Sequence, residues 1–313
     1  MSRLSPMLTL WLLAGCFGSE VLSATFTFSN NCGYTVWPGL LSGAGTAPLS
    51  TTGFALQKGE SRPVPVPSAW SGRIWGRTLC STDSATGKFT CATADCGSGK
   101  LECSGAGAIP PATLAEFTLN GAGGQDFYDV SLVDGYNLPM MVVPSGGTGK
   151  NCSATGCSVD LNGACPTELK VLSMDGKQGV ACKSACEAFG DARYCCSGAY
   201  GSPDTCKPSQ YSQMFKNACP RAYSYAYDDK TSTFTCGSSP DYAITFCPSP
   251  GTSQKASTTP NATSSGSQTD GGMVYEGLFN SRGAMWRHVS GGSNIGLLLF
   301  LMGMSSWWLC LLL

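Results

Sequence analysis

Eighteen cysteines in 313 residues constrain this chain more than any other feature. Cys16 lies in an N-terminal apolar run and Cys310 in a C-terminal one. The other sixteen fall between Cys32 and Cys247, an even number with which every thiol can pair, giving eight bridges. That pattern belongs to an oxidising compartment. A structural metal is a poor alternative, because CxxC pairs are absent and the single histidine, His288, lies outside this region. Each bridge stabilises by ~2–4 kcal/mol, chiefly by restricting the unfolded chain, and such contributions do not simply add. Spacing does not assign connectivity, although adjacent Cys195 and Cys196 require two different partners.

The ends of the chain fit that compartment. Residues 1–23 read as a secretory signal: Arg3, an apolar run around Met7–Leu13, then Val21 and Ser23 in the small-residue positions before Ala24. The cysteine-bearing body is expected over 24–248. Residues 249–281 read as a stalk. Ten of the 22 residues from Gly251 to Gly272 are Ser or Thr, so the segment has too little apolar surface to offset its ordering entropy. Asn261-Ala262-Thr263 is a glycosylation sequon there, and Asn151-Cys152-Ser153 is a second in the body, where a bridged Cys152 stands against its use. Residues 282–313 end in the apolar run Ile295–Leu313 with no charge after it. That favours a glycolipid (GPI) anchor signal, removed on attachment near Ser281, over a spanning helix, which carries cytoplasmic Lys or Arg. The chain is thus expected at the outer face of the plasma membrane or free outside the cell.

Composition excludes several classes. The net charge is −1, so the basic footprint of nucleic-acid binding is missing. With no histidine in the body, a Ser-His-Asp triad and a His-built metal site are out of reach. No cofactor and no metal is expected, and the chemistry left is that of carboxylates, hydroxyls and aromatic rings. Short β-type runs occur at Thr25–Phe28 and Tyr34–Trp37, read as an opening hairpin around Asn30-Asn31-Cys32. Others occur at Ser61–Val66, Arg73–Thr78, Leu114–Leu119, Phe127–Val133 and Leu138–Val143, separated by turn signals such as Asp134-Gly135 and Gly146-Gly147. This spacing predicts a mainly β sandwich or barrel. The clearest helix is Cys182–Phe189, closed by Gly190, within a cysteine-dense lobe over about 152–219.

Residues 87–103, GKFTCATADCGSGKLEC, resemble the signature of the thaumatin family. The likeness extends through NNCGYTVWPG, WSGRIWGRT, PPATLAEFTL, DFYDVSLVDGYNLPM, YCCSGAYGSPDTC and AYSYAYDDKTSTFTC to Phe246–Pro248, with all sixteen cysteines at matching intervals. The chain is similar to the larger, stalked plant members of this pathogenesis-related group. Leu79 and Ala94 stand where glycine is usual, and Arg221 where an acid or small residue is common. The resemblance implies a β-sandwich flanked by a disulfide-rich lobe with a short helix and a small disulfide loop (80–103), with an acidic cleft between sandwich and lobe. It also implies the bridges Cys32–Cys247, Cys80–Cys91, Cys96–Cys103, Cys152–Cys236, Cys157–Cys219, Cys165–Cys182, Cys186–Cys195 and Cys196–Cys206.

The family's cleft residues fall on Arg73, Glu116, Asp129, Asp134 and Asp229. Residues 24–247 carry fifteen Lys and Arg against seventeen Asp and Glu, so any strong negative potential comes from arrangement and not from bulk charge. Strand parity alone sets Asp129 and Asp134 on opposite faces, and the Asp134-Gly135 turn is what can re-aim the second. Two carboxyls in unlike environments are the minimum for glycoside hydrolysis, and the same groups bind sugar hydroxyls without turnover. Glu116 and Asp134 are the catalytic candidates if the protein is an enzyme. Trp75, Phe117, Phe127, Tyr128 and Tyr136 are candidate sugar platforms, weighed against the commoner role of core packing. An Arg73 ion-pair network serving structure alone is the competing reading of the acids. Asp95 is expected to fix the small disulfide loop. The first expectation is a monomeric extracellular defence protein that binds β-1,3-glucan or a related wall polysaccharide in the cleft. A weak endo-β-1,3-glucanase is the second, and a non-catalytic wall- or receptor-associated surface protein the third.

Overall fold

In a computed structural model, residues 22–249 are described, Ser239 excepted. The signal segment up to residue 21, most of the stalk, Asn261, Ser281 and the apolar tail lie outside the described residues. Five strands form one sheet in the order β3-β1-β13-β8-β9: β1 (Leu22–Asn30), β3 (Ser61–Pro67), β8 (Met140–Ser145), β9 (Thr155–Cys157) and β13 (Asp241–Phe246). Five others form the second sheet's path in the order β12-β7-β6-β4-β2: β2 (Trp37–Ser42), β4 (Ser71–Thr82), β6 (Leu114–Thr118), β7 (Asp126–Ser131) and β12 (Phe234–Cys236). The far end of β4 pairs with β5 (Phe89–Thr93).

The mainly β sandwich follows from alternation. Phe26 and Tyr242 from the first sheet meet Phe117 and Tyr128 from the second, with ring centroids 4.5 Å apart for Phe26 and Phe117 and 5.1 Å for Phe117 and Tyr242. All four are buried, and each such ring contributes roughly 1.5–3 kcal/mol through removal from water. Of the proposed sugar platforms, Phe117, Tyr128, Tyr136 and Trp75 are therefore core side chains; Phe127 is half-buried. The opening hairpin is also corrected. β1 runs parallel to β13 and antiparallel to β3, whereas β2 starts at Trp37 and pairs with β4 in the other sheet. Burying Phe26 and Phe28 between two sheets outweighs a local turn.

The remaining strands and the α-helices of the described residues sit between Cys157 and Phe234. A two-stranded ribbon, β10 (Lys170–Leu172) and β11 (Gly179–Cys182), leads into α1 (Ala185–Phe189), α2 (Ala192–Cys195), α3 (Gln210–Ala218) and α4 (Asp229–Ser232). Cys182 ends β11, so α1 starts three residues later than its pattern suggests; Ser184 caps it and Gly190, at φ 63°, closes it in the left-handed conformation. Eight bridges hold the described residues: Cys32–Cys247, Cys80–Cys91, Cys96–Cys103, Cys152–Cys236, Cys157–Cys219, Cys165–Cys182, Cys186–Cys195 and Cys196–Cys206. Leu79 and Ala94, the two replacements of a usual glycine, both adopt φ 53°. Asp95 accepts from the Cys91 and Gly97 N–H groups, each at 3.2 Å, and so fixes the small loop. Arg77, fully buried, donates to the carbonyls of Trp37 (3.0 Å) and Leu101 (2.6 Å) beneath it.

Candidate functional site

The same alternation that sends Ile74, Ala115, Phe117, Tyr128 and Val130 into the core sends Arg73, Glu116 and Asp129 to the opposite face of the second sheet. Register does the rest. Arg73 stands opposite Glu116 across β4 and β6, and Glu116 opposite Asp129 across β6 and β7. The three form one transverse row. Arg73 Nη2 lies 3.5 Å from Glu116 Oε1, with the two side chains only 15% and 16% exposed.

Burial governs the chemistry of this row. Desolvation pushes the Glu116 carboxyl up to about 7, against the pull of the Arg73 guanidinium and with some help from Asp134. Asp129, 4% exposed, is driven well above the usual carboxylate range by burial and by Glu116 beside it, with Arg73 again opposing. Its Oδ1 is buried with no hydrogen-bond partner, a loss of about 1–3 kcal/mol in a finished core. The row therefore holds one carboxyl oxygen without a hydrogen-bond partner. It carries unmet hydrogen-bonding capacity.

Asp134 and Asp229 stand outside the sheet, in the turn after β7 and at the start of α4, and each acts electrostatically on the row or is acted on by it. After β7 ends at Ser131, the Asp134-Gly135 turn is set by the Gly135 N–H bond to Leu132 O (3.0 Å) and by Asp134 O accepting from Ala112 (3.0 Å). The Asp134 carboxyl is raised by desolvation, with the Arg73 guanidinium opposing. Tyr223 runs beside the end of β7, its N–H bonded to Val130 O and its C=O accepting from Leu132. Its hydroxyl donates to Asp229 Oδ1 at 2.8 Å and accepts from Thr233 Oγ1. Asp228, next door, serves structure: it accepts from Lys216 Nζ (2.8 Å) and from the N–H and hydroxyl of Ser224. Asp126 does likewise, accepting from Tyr242 Oη (3.0 Å) and the Asn120 N–H (2.8 Å). Asn151 is exposed beside the Cys152–Cys236 bridge.

One acid escaped the sequence reading. Glu187, on α1, is raised to about 7 by burial and by Asp134, with Lys183 opposing, and its Oε2 is buried without a partner. Ser184-Ala185-Cys186-Glu187 reads as a capping signature, so nothing local marks Glu187 as a site residue. A cavity of about 30 Å³ lined by Val133, Ser184, Arg193, Tyr194 and Tyr225 lies close by in the lobe, with room for water but not for a sugar ring. Among the described residues no cluster of three or more His, Cys, Asp or Glu side chains is arranged to hold a metal ion.

Comparison with known proteins identifies the family. The thaumatin family model matches residues 30–248. Over 236 residues the chain is 59% identical to thaumatin-like protein 1a of Malus domestica, an alignment covering 75% of this chain and 95% of that protein. A glucan endo-1,3-beta-glucosidase of Prunus avium is 56% identical over 79% of this chain and all of that protein. A PR5-like receptor kinase of Arabidopsis thaliana is 57% identical over 76% of this chain but only 36% of its own length. With its two sheets, its eight bridges and a family match running from the end of β1 to Pro248, the chain belongs to the thaumatin family.

Proposed function

We propose that this protein is an exported thaumatin-like defence protein whose acidic row binds β-1,3-glucan or a related wall polysaccharide. The buried, unpartnered Oδ1 of Asp129 carries the reading. A carboxyl withdrawn from water next to Glu116 and Arg73 is relieved by a ligand hydroxyl, and saccharides supply hydroxyls at close spacing. Arg73 donates to sugar oxygens, while Glu116, Asp134 and Asp229 line the same neighbourhood. The near-neutral body argues against permeabilising membranes by charge. A glycolipid anchor at Ser281 would hold the body at the cell surface, facing the wall; phospholipase release from intact cells tests this. For the cleft, calorimetry of the folded body with a laminarin-type glucan is expected to give millimolar to micromolar binding, lost in an Asp134→Ala, Asp229→Ala double variant. Absence of heat with correctly folded protein overturns the reading.

The 56% identity to a protein named as a glucan endo-1,3-beta-glucosidase favours a second reading, slow endo-hydrolysis. Glu116, raised to about 7, is protonated at mildly acidic pH as a general acid must be, leaving Asp134 as nucleophile or base. Reducing-sugar release is then expected to fall at least a hundredfold in Glu116→Gln. Unchanged release refutes that assignment.

A further inference from the structure

Backbone hydrogen bonds tie the start of α1, which carries Glu187, to the Asp134 turn. Tyr136 and Cys182 exchange two hydrogen bonds, 2.8 and 2.7 Å, which fasten the segment after the Asp134 turn to the end of β11. Gly135, at φ 86°, allows this approach: a Cβ there would lie 2.7 Å from the Cys182 carbonyl oxygen. Two residues past Cys182, Ser184 caps α1 and accepts the Glu187 N–H at 3.2 Å. Glu187 occupies the position from which a capping-box side chain turns back to its own helix. Here Oε2 is instead buried with no partner inside the protein.

We propose that Glu187 is a glycan-binding residue of the cleft, donating its carboxylic acid proton from the lobe to a saccharide oxygen held opposite Asp134. The inference rests on the glucan reading above and adds a residue from the second wall. As a neutral acid, Glu187 presents an O–H for which the protein supplies no acceptor at Oε2. Asp134 favours that neutral form, and Lys183 opposes it. The neighbouring helices add no strong opposing charge: Asp191, which caps α2, pairs with Arg193 on it at 2.7 Å, Tyr194 packs on Phe189, and Tyr211 on α3 bonds Glu168. The acid form exists below about pH 7 and is lost above it, so its share of affinity falls as pH rises. Glu116 and Asp129 titrate upward of their usual range as well, so the test compares slopes.

A soluble β-1,3-gluco-oligosaccharide is titrated into the wild-type body, Glu187→Gln and Glu187→Ala at pH 5 and pH 8. At pH 5, Glu187→Gln, whose amide still donates, is expected within about threefold of wild type, and Glu187→Ala about tenfold weaker. The dependence of log Kd on pH becomes shallower by up to one proton in Glu187→Gln. Wild-type affinity in Glu187→Ala, or an unchanged slope in Glu187→Gln, overturns the proposal alone. No binding by wild type at either pH overturns the glucan reading and this proposal with it. A carboxyl titration followed by 13C NMR without ligand gives a second readout. A Glu signal with a midpoint near 7 should vanish in Glu187→Gln and move down in Asp134→Asn; an ordinary Glu187 midpoint refutes the assignment.

Discussion

Replacing Glu116 by Gln makes the buried row measurable as stability. The Glu116 carboxyl moves from an ordinary 4.5 to about 7 in the folded protein, so the folded state holds its proton more tightly than the unfolded chain does. The sign follows: stability contributed by the neutral acid is fully present below pH 4.5 and is lost as pH rises to about 7. At 1.36 kcal/mol per pH unit, the loss is about 3 kcal/mol. With both side chains of the Arg73 pair mostly covered, solvent screening removes little of this. Gln cannot ionise, so Glu116→Gln escapes the loss, and Asp129 is relieved of a charged neighbour in the same direction. Urea unfolding with bridges intact, at pH 4.5 and pH 8, is expected to show the variant gaining about 3 kcal/mol on wild type between the two. A difference below about 0.5 kcal/mol refutes the desolvation argument, whatever each protein's absolute stability.

Further expectations concern the scaffold. Leu79→Gly and Ala94→Gly should each stabilise by roughly 1 kcal/mol, because both residues hold left-handed backbone that costs a side chain about that much; a lower melting temperature in either contradicts this. Gly135→Ala should destabilise by more than about 2 kcal/mol and weaken glucan binding, since its Cβ meets Cys182 O and Pro111 Cβ at 2.7 Å; calorimetric scanning and glucan titration check both. Lys216→Met strips a 2.8 Å partner from Asp228, a largely buried acid, and should cost about 3 kcal/mol in chemical unfolding. Asn30→Ala removes donors to Tyr34 O and Leu56 O and the acceptor of the Cys32 N–H, all beside the Cys32–Cys247 bridge, for a loss of about 3 kcal/mol by the same assay.

The parts of the fold that depend on local pattern were legible. Ser61–Val66 lies within β3, Arg73–Thr78 within β4 and most of Phe127–Val133 within β7, and α1 has both its caps, Ser184 and Gly190, written in the chain. Pairing was not legible at the start of the chain. β1 chooses β13, more than two hundred residues away, because Phe26 and Tyr242 bury together, and no property of Asn30-Asn31-Cys32 announces that. The site divides in the same way. Arg73, Glu116 and Asp129 share a face by parity, but their alignment in one row depends on a register that sequence does not state. Glu187 was invisible because its capping signature and its actual burial differ only in tertiary structure. Phe117 and Tyr128 misled as platforms because a ring next to an acid in a strand points to the other face, here the core, whereas Trp75 shares the parity of Arg73 but is buried against the small disulfide loop, its Nε1 donating to Ala94 O at 3.0 Å.

The most direct measurement is a structure of the folded body bound to a β-1,3-gluco-oligosaccharide at mildly acidic pH. The expected result is a sugar whose hydroxyl lies within hydrogen-bonding distance of Asp129 Oδ1, with Arg73 and Glu116 on the same ring or its neighbour. A sugar seated on another surface, with the Arg73–Glu116–Asp129 row unoccupied at saturating ligand, contradicts the assignment of this face as the binding site.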